Sequence, residues 1–406
     1  MMQLFQMFVS ISSLSILNSQ FINQILSFSE VQRDVVSSLK KLVKNSDYYS
    51  MPNDGGILLI GILIFFILIG LEYGYGVIKN KNNYRLNDSI SSLSQGLLSQ
   101  LFDAISRQFF TLGIFIIIYQ STPHLHITHF WYTWYGIISA VIFYDFCDYW
   151  LHRASHRVAL LWAAHVVHHQ SQSFNFTTSL RQETFYMLPG FVFYIPLPLL
   201  GVPPDLFALS GIVVLYYQFW IHTEHIGKLG ILEQLISTPS NHRVHHGVNE
   251  KYINKNYGAI LIIWDRLFGT YQEETEKPIY GTLHPLNSWC PIKTITQVYS
   301  LLIKRALNTK GFLNRIKIFY KPPEWNSAAN PSVSMQDIKE IATYDPPISK
   351  LSKWIAGSLF VIFFICSLYF ILLSEHFSLW PGLGCAITIL TGLYCVGLLI
   401  DKPQKK

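Results

Sequence analysis

Ten of the fifteen histidines in this 406-residue chain fall between positions 152 and 246. His152 and His156 form HxxxH, and His165, His168 and His169 form HxxHH nine residues later. His222 and His225 sit in HTEH, and His242, His245 and His246 form a second HxxHH. On an α-helix, residues at i, i+3 and i+4 share a face, so each pattern can aim its imidazoles at one point. One isolated histidine needs no special explanation, but nine buried imidazoles without partners would each carry a desolvation cost. A metal site satisfies them together. Four imidazoles complete a tetrahedral shell, so nine ligands (His152, His156, His165, His168, His169, His222, His242, His245 and His246) imply two ions. Imidazole suits zinc, copper, iron and nickel alike. HExxH is absent from the sequence, so a zinc-peptidase mechanism lacks its general base.

The elements that position these residues must deal with a bilayer. Hydrophobic residues make up 50% of the chain and charged residues only 13%, with a mean hydropathy of +0.29. Soluble domains carry about 25% charged residues, so a simple water-soluble globule is excluded. Four of the five cysteines (Cys147, Cys366, Cys385, Cys395) lie in apolar runs, which rules out a disulfide scaffold. The net charge of +6 is modest and no basic–aromatic pattern suggests nucleic acid. Apolar stretches at Ile57–Ile78, Leu93–Ile118, Phe130–Trp150, Trp354–Leu373 and Phe377–Ile400 are long enough to cross. Phe185–Leu200 and Leu206–Ile221, joined at Pro203 and Pro204, read as a hairpin that spans or re-enters. Met1–Glu30 contains no basic residue and makes a poor signal peptide; it lies along the interface or crosses.

Topology then constrains the chemistry. The first two histidine patterns follow the third apolar stretch, and the last pattern comes about 70 residues later. They can meet only if the chain between them crosses an even number of times or not at all, which the 185–221 hairpin provides. Fifteen of the thirty Lys and Arg residues lie between Lys228 and Lys350, placing that side in the cytoplasm by the positive-inside tendency. The expected fold is therefore an all-α integral membrane protein, a multi-span helical bundle with a histidine-rich di-metal site on the cytoplasmic side. Its expected parts are an N-terminal segment (1–54), a membrane-embedded catalytic domain (55–285), a polar segment (286–350) and a C-terminal pair of membrane helices (351–406). A two-metal site beside a bilayer fits activation of O2 by two Fe ions acting on a lipid chain. Unactivated C–H bonds offer neither an acidic proton nor a leaving group, so acid–base chemistry alone cannot attack them.

The patterns HRASH, HVVHH and NHRVHH resemble the fatty acid hydroxylase/sterol desaturase superfamily of membrane di-iron enzymes. The surrounding segments LWAAHVVHHQSQSFNFTTSLRQ, LYYQFWIHTEHIGKLG, NHRVHHGVNEKYINKNYGAILIIWDRLFGTYQEE and PIYGTLHP are similar to the alkylglycerol monooxygenase family, a likeness covering roughly Tyr84 to Pro285. The resemblance implies a multi-pass enzyme of the endoplasmic reticulum in a eukaryote or the inner membrane in a bacterium. It would use tetrahydrobiopterin to hydroxylate the carbon next to the ether oxygen of a membrane alkylglycerol lipid, and it implies the same nine histidine ligands. His225 is outside the family pattern and is either a tenth metal ligand or an exposed loop residue. Asp145 matches an aspartate seven residues before the first histidine; it either accepts an imidazole N–H from behind the ligands or pairs with Arg153. Glu224 matches the family's HTE. Arg157 stands where the family's animal members carry a glutamate. A sterol, fatty acid or carotenoid hydroxylase or desaturase of the same superfamily would use the same ligands with a separate electron donor. A metal carrier is disfavoured, because its ionisable residues would line a path across the spans.

Overall fold

Between Asp54 and Ile78 the only charged side chain after the first residue is Glu72, and the segment forms one 25-residue helix, α1. This structure is a computed structural model describing residues 54–122, 127–325, 342–373, 377 and 379–401. The chain divides into Met1–Gly56 and Ile57–Lys406, and the fold described is that of the second unit. The N-terminal segment, His124, His126 and His376 lie outside the described residues. Helices account for all the regular structure among the described residues.

Nine further helices matter to the site. They are α2 (Leu86–Ser121), α3 (Trp134–Arg157), α4 (Ala159–His169), α5 (Pro204–Trp220) and α6 (Pro239–His246), followed by α7 (Pro291–Asn308), α8 (Phe312–Tyr320), α9 (Lys350–Leu373) and α10 (Leu379–Asp401). Among the described residues three helices, α1, α9 and α10, are long and apolar enough to cross a bilayer. The first half of α2 falls short for a physical reason. Asn87, Asp88, Ser91, Ser92 and Gln95 are buried there against protein: Ser171 Oγ donates to Asp88 at 2.7 Å and Arg181 donates to Ser91 Oγ at 3.0 Å. The expected first arm of the hairpin is broken into one-turn pieces, Met187–Gly190, Phe191–Tyr194 and Pro196–Leu199. Pro189, Pro196 and Pro198 each remove a backbone donor and prevent a continuous helix. The second arm is the 17-residue α5, opening with Pro204 at its first position as the Pro-Pro turn requires.

Three apolar cores hold these elements. Leu97, Leu98 and Leu101 of α2 pack against Phe360 of α9 and Leu393 and Val396 of α10. Phe115, Cys147 and Leu151 pack against Tyr194, Leu197 and Phe207 of the hairpin. Ala159 and Ala163 of α4 pack against Leu302 of α7 and Ile318 of α8.

Candidate metal centre

Each histidine pattern occupies a helix end shaped by local sequence. His152 and His156 lie one turn apart at the end of α3, which starts at Thr133, whose hydroxyl accepts from the Gly136 N–H at 3.1 Å. Val158 is extended, and the chain turns there into α4, whose last two turns carry His165, His168 and His169. Helix α6 opens with a capping box in which the Thr238 hydroxyl and the Asn241 side chain exchange hydrogen bonds with each other's backbone N–H, with Pro239 at the first position. Asn241 therefore sets the start of the helix that presents His242, His245 and His246.

The three helices and the segment after α5 bring nine imidazoles into two adjoining groups. His152, His156, His165, His169 and His245 form one, and His168, His222, His242 and His246 form the other. Within each group, one ring nitrogen from every member lies within 4.8 Å of the others. The groups are interleaved: α4 and α6 each contribute to both, and His169 stacks on His246 with centroids 4.4 Å apart. His225 is in neither group. Its ring meets Tyr75 of α1 edge-on at 5.2 Å and is half-buried with Nε2 enclosed, so it is neither a member of the two groups nor the exposed loop residue expected.

Hydrogen bonds behind the rings fix their orientation. Nδ1–H of His152 donates to the Tyr257 carbonyl at 2.8 Å, His168 to Arg181 at 3.0 Å, His222 to Gln218 at 2.8 Å and His245 to Lys255 at 3.0 Å. His165 Nδ1 is 2.6 Å from the Glu183 carboxylate. A ring donating through Nδ1 presents a bare lone pair at Nε2. Yet Nε2 of His168 and Nε2 of His222 are 3.2 Å apart, and both rings donate through Nδ1. Facing lone pairs at that distance repel unless a cation sits between them. Nε2 of His152 and His156 are likewise buried with no hydrogen-bond partner. This donor set, nine buried imidazoles of which five are held from behind at Nδ1, fits two metal ions. Burial also pushes the imidazoles toward neutrality, His165 down to about 3 and His168 to about 4.

The two carboxylates expected from sequence take other places. Asp145 accepts from the backbone N–H groups of Ile260 (2.7 Å) and Leu261 (3.1 Å) and from Trp264 Nε1 (2.8 Å). Those contacts replace both expected pairings; Arg153 donates instead to the Tyr149 hydroxyl. Asp145 reaches the site indirectly, because the loop it pins also carries Tyr257, and Asp265 clamps the Tyr257 and Gly258 N–H groups from the other side. Glu224 is half-buried in the wall of a polar cavity with Arg243, Glu274 and Tyr280, and it is no ligand in either group. Arg157 faces Glu324 at 3.8 Å.

Three residues that carry the site were missed in the sequence. Glu183 is the carboxylate that meets a histidine, and its position just beyond LRQ was the available signal. Arg181, buried, donates from Nε to the Val167 carbonyl at 2.6 Å and binds the end of α4 to α2. Glu72 of α1 accepts from the Tyr84 hydroxyl, from the Phe176 N–H at 2.8 Å and from Thr223 Oγ1 at 2.5 Å, next to His222. A lone carboxylate inside an apolar helix was its signal.

Comparison with known proteins agrees with this geometry. The fatty acid hydroxylase family model matches residues 137–270, which contain every histidine of both groups. Alkylglycerol monooxygenase from Homo sapiens is 37% identical over 81% of this chain and 74% of the relative. The chain belongs to the alkylglycerol monooxygenase family. It is thus an oxidoreductase of the monooxygenase class within the fatty acid hydroxylase/sterol desaturase superfamily. Another member of the alkylglycerol monooxygenase family, from Danio rerio, is 36% identical over 83% of the chain and 76% of its own length. A more distant relative, Delta(7)-sterol 5(6)-desaturase from Leptosphaeria maculans, is 29% identical over 36% of the chain and 40% of its length. No solved structure matches the chain.

Proposed function

We propose that this enzyme hydroxylates the carbon next to the ether oxygen of O-alkylglycerol lipids, with two iron ions in the histidine groups and tetrahydrobiopterin as reductant. The convergence of nine imidazoles into two adjoining buried groups is the observation that carries this reading. The iron pair, when bound, supplies activation of dioxygen. One oxygen atom enters the C–H bond, and the other leaves as water after taking up two electrons and two protons. The C–H bond beside an ether oxygen is weaker than others in the alkyl chain, which favours that position. The resulting hemiacetal collapses to a fatty aldehyde and a glycerol product.

The chain's own residues hold and shield the centre. Glu183 and the carbonyls of Gln218, Lys255, Tyr257 and Arg181 keep five of the rings aimed inward, while burial keeps the imidazoles neutral. Trp162 and Tyr257 pack on His156 at 5.1 and 5.3 Å, and Phe174 packs on His222 and His246 at 5.5 and 5.2 Å, excluding water from the reacting oxygen.

The sterol desaturase relative keeps a second reading in view, oxidation of another lipid with a separate donor. The deciding experiment offers purified, iron-loaded protein an alkylglycerol with tetrahydrobiopterin or with an NADPH-linked donor. Fatty aldehyde with the pterin is the expected result. No aldehyde with the pterin, but an oxidised sterol or fatty acid with the other donor, overturns it.

A further inference from the structure

The segment following the metal-binding region carries a surface that water does not account for. From Pro291 to Lys321 the chain has seven Lys and Arg residues and no Asp or Glu. It folds as α7 and α8, whose inner sides (Val298, Leu302 and Ala306 of α7; Ile318 and Phe319 of α8) pack on Ala159 and Ala163 of α4. Burying one face is enough to hold such helices to the protein, and the other face is ordinarily polar. Here it is not. In α8, Phe312, Leu313, Ile316 and Tyr320 follow the i, i+1, i+4, i+8 spacing of one stripe, and they are 40% to 75% exposed. Ile303 and Leu307 continue exposed apolar surface at the end of α7. Exposed basic residues border these side chains: Lys304 on α7, Lys310 in the turn and Arg315 on α8, with Lys317 half-buried beside them.

We infer that α7 and α8 form an interfacial anchor that lies on an anionic phospholipid surface, with the Phe312–Tyr320 stripe dipping below the headgroups and the basic residues meeting lipid phosphates. Large exposed apolar side chains flanked by Lys and Arg, on helices too charged (α7) or too short (α8) to span, have this occupant. Charge complementarity selects it: seven cations without one anion fit an acidic membrane leaflet. The membrane is at hand, since α7 also packs near α10, which is long and apolar enough to cross it. The consequence reaches the metal centre, because α4 bears His165, His168 and His169 and also carries the alanine face on which the anchor packs. The anchor thus fixes the height of the histidine groups relative to the headgroups. This inference stands apart from the choice of lipid that is oxidised.

The test uses the full-length protein with p-benzoylphenylalanine in place of Leu313, reconstituted in phosphatidylcholine nanodiscs with or without about one third phosphatidylglycerol. Irradiation is expected to join the probe to lipid, several-fold more in the anionic discs. A charge-reversed form (Lys304→Glu, Lys310→Glu, Arg315→Glu, Lys317→Glu) is expected to fall to the level of the neutral discs with its metal content retained. Cross-linking to this chain itself or to a second copy, or lipid capture that is equal in both discs for the unaltered protein, overturns the proposal. The lipid comparison on the unaltered protein decides the matter even if the reversed form does not fold.

Discussion

Arg181 and His168 are coupled in both directions. The Arg181 carbonyl accepts the Nδ1–H of His168 at 3.0 Å, while the Arg181 guanidinium donates to the carbonyl of Val167, the residue just before that histidine. The same guanidinium reaches Ser91 on α2 and Gln170 at the end of α4. One buried side chain therefore ties the ligand-bearing end of α4 to a second helix.

Replacing this residue with an apolar one of similar length tests that coupling. Arg181→Met leaves the Val167 carbonyl and the Gln170 side chain without their donor and is expected to cost about 3 kcal/mol. Arg181→Lys cannot reproduce the planar fork and is expected to recover only part of it. Thermal unfolding in detergent, read together with metal content, checks both; a Met variant with unchanged unfolding temperature and full metal would refute the role.

Glu72 offers a test at longer range. It joins α1 to Phe176 and to Thr223 next to His222, and all three of its contacts need an acceptor. Glu72→Gln leaves one acceptor oxygen where there were two, and its amide N–H is accommodated only if the Tyr84 or Thr223 hydroxyl turns to accept and gives up its present bond. Metal bound by the His222 group is expected to fall while the other group keeps its ion, and Glu72→Asp is expected to restore it in part. Metal content of the Gln variant equal to the parent would contradict the link.

Asp145 acts through the 257–264 loop. Asp145→Ala strands the Ile260 and Leu261 N–H groups and the Trp264 indole, and a loss of roughly 3–5 kcal/mol is expected. Because the same loop supplies the Tyr257 carbonyl to His152, metal affinity should weaken with stability. Hydrogen exchange at residues 257–264 checks this; unchanged protection there would argue against it.

Acid should destabilise the metal-free protein. In the unfolded chain a histidine titrates near its ordinary value of 6.5, whereas in the native chain burial holds His168 down to about 4 and His165 to about 3. Between those values the unfolded state binds more protons at these two groups, so their contribution to native stability falls as pH drops through about 6.5 toward 4 and is constant above. Unfolding temperatures of chelator-treated protein measured from about pH 8 to pH 5 check the sign; a rise on acidification would be the opposite of what is expected.

Much of the site was legible because the ligands are marked by spacing. HxxxH and HxxHH announce helical faces, and the eight histidines so selected meet, joined by His222 of HTEH. The second tier was hidden, since most of the Nδ1 partners are backbone carbonyls, at Gln218, Lys255, Tyr257 and Arg181, which have no signature in residue type. Asp145 stood out as a carboxylate near the histidines, but its partners are two backbone N–H groups and the Trp264 indole, more than 100 residues away in sequence. The apolar stretches were clear at α1, α9 and α10. Phe185–Leu200 is segmented at its prolines and too short to be among the candidate spans, and Leu93–Ile118 lies within α2, which is likewise not among them.

The central claim is that the two histidine groups each hold a metal ion, and counting metal on purified protein tests it most directly. Protein produced with iron and freed of adventitious metal is expected to carry two ions per chain. His222→Ala and His152→Ala, one from each group, should each fall to about one. Full oxidative turnover by protein with one ion or fewer per chain, or two ions retained in both variants, would contradict the account.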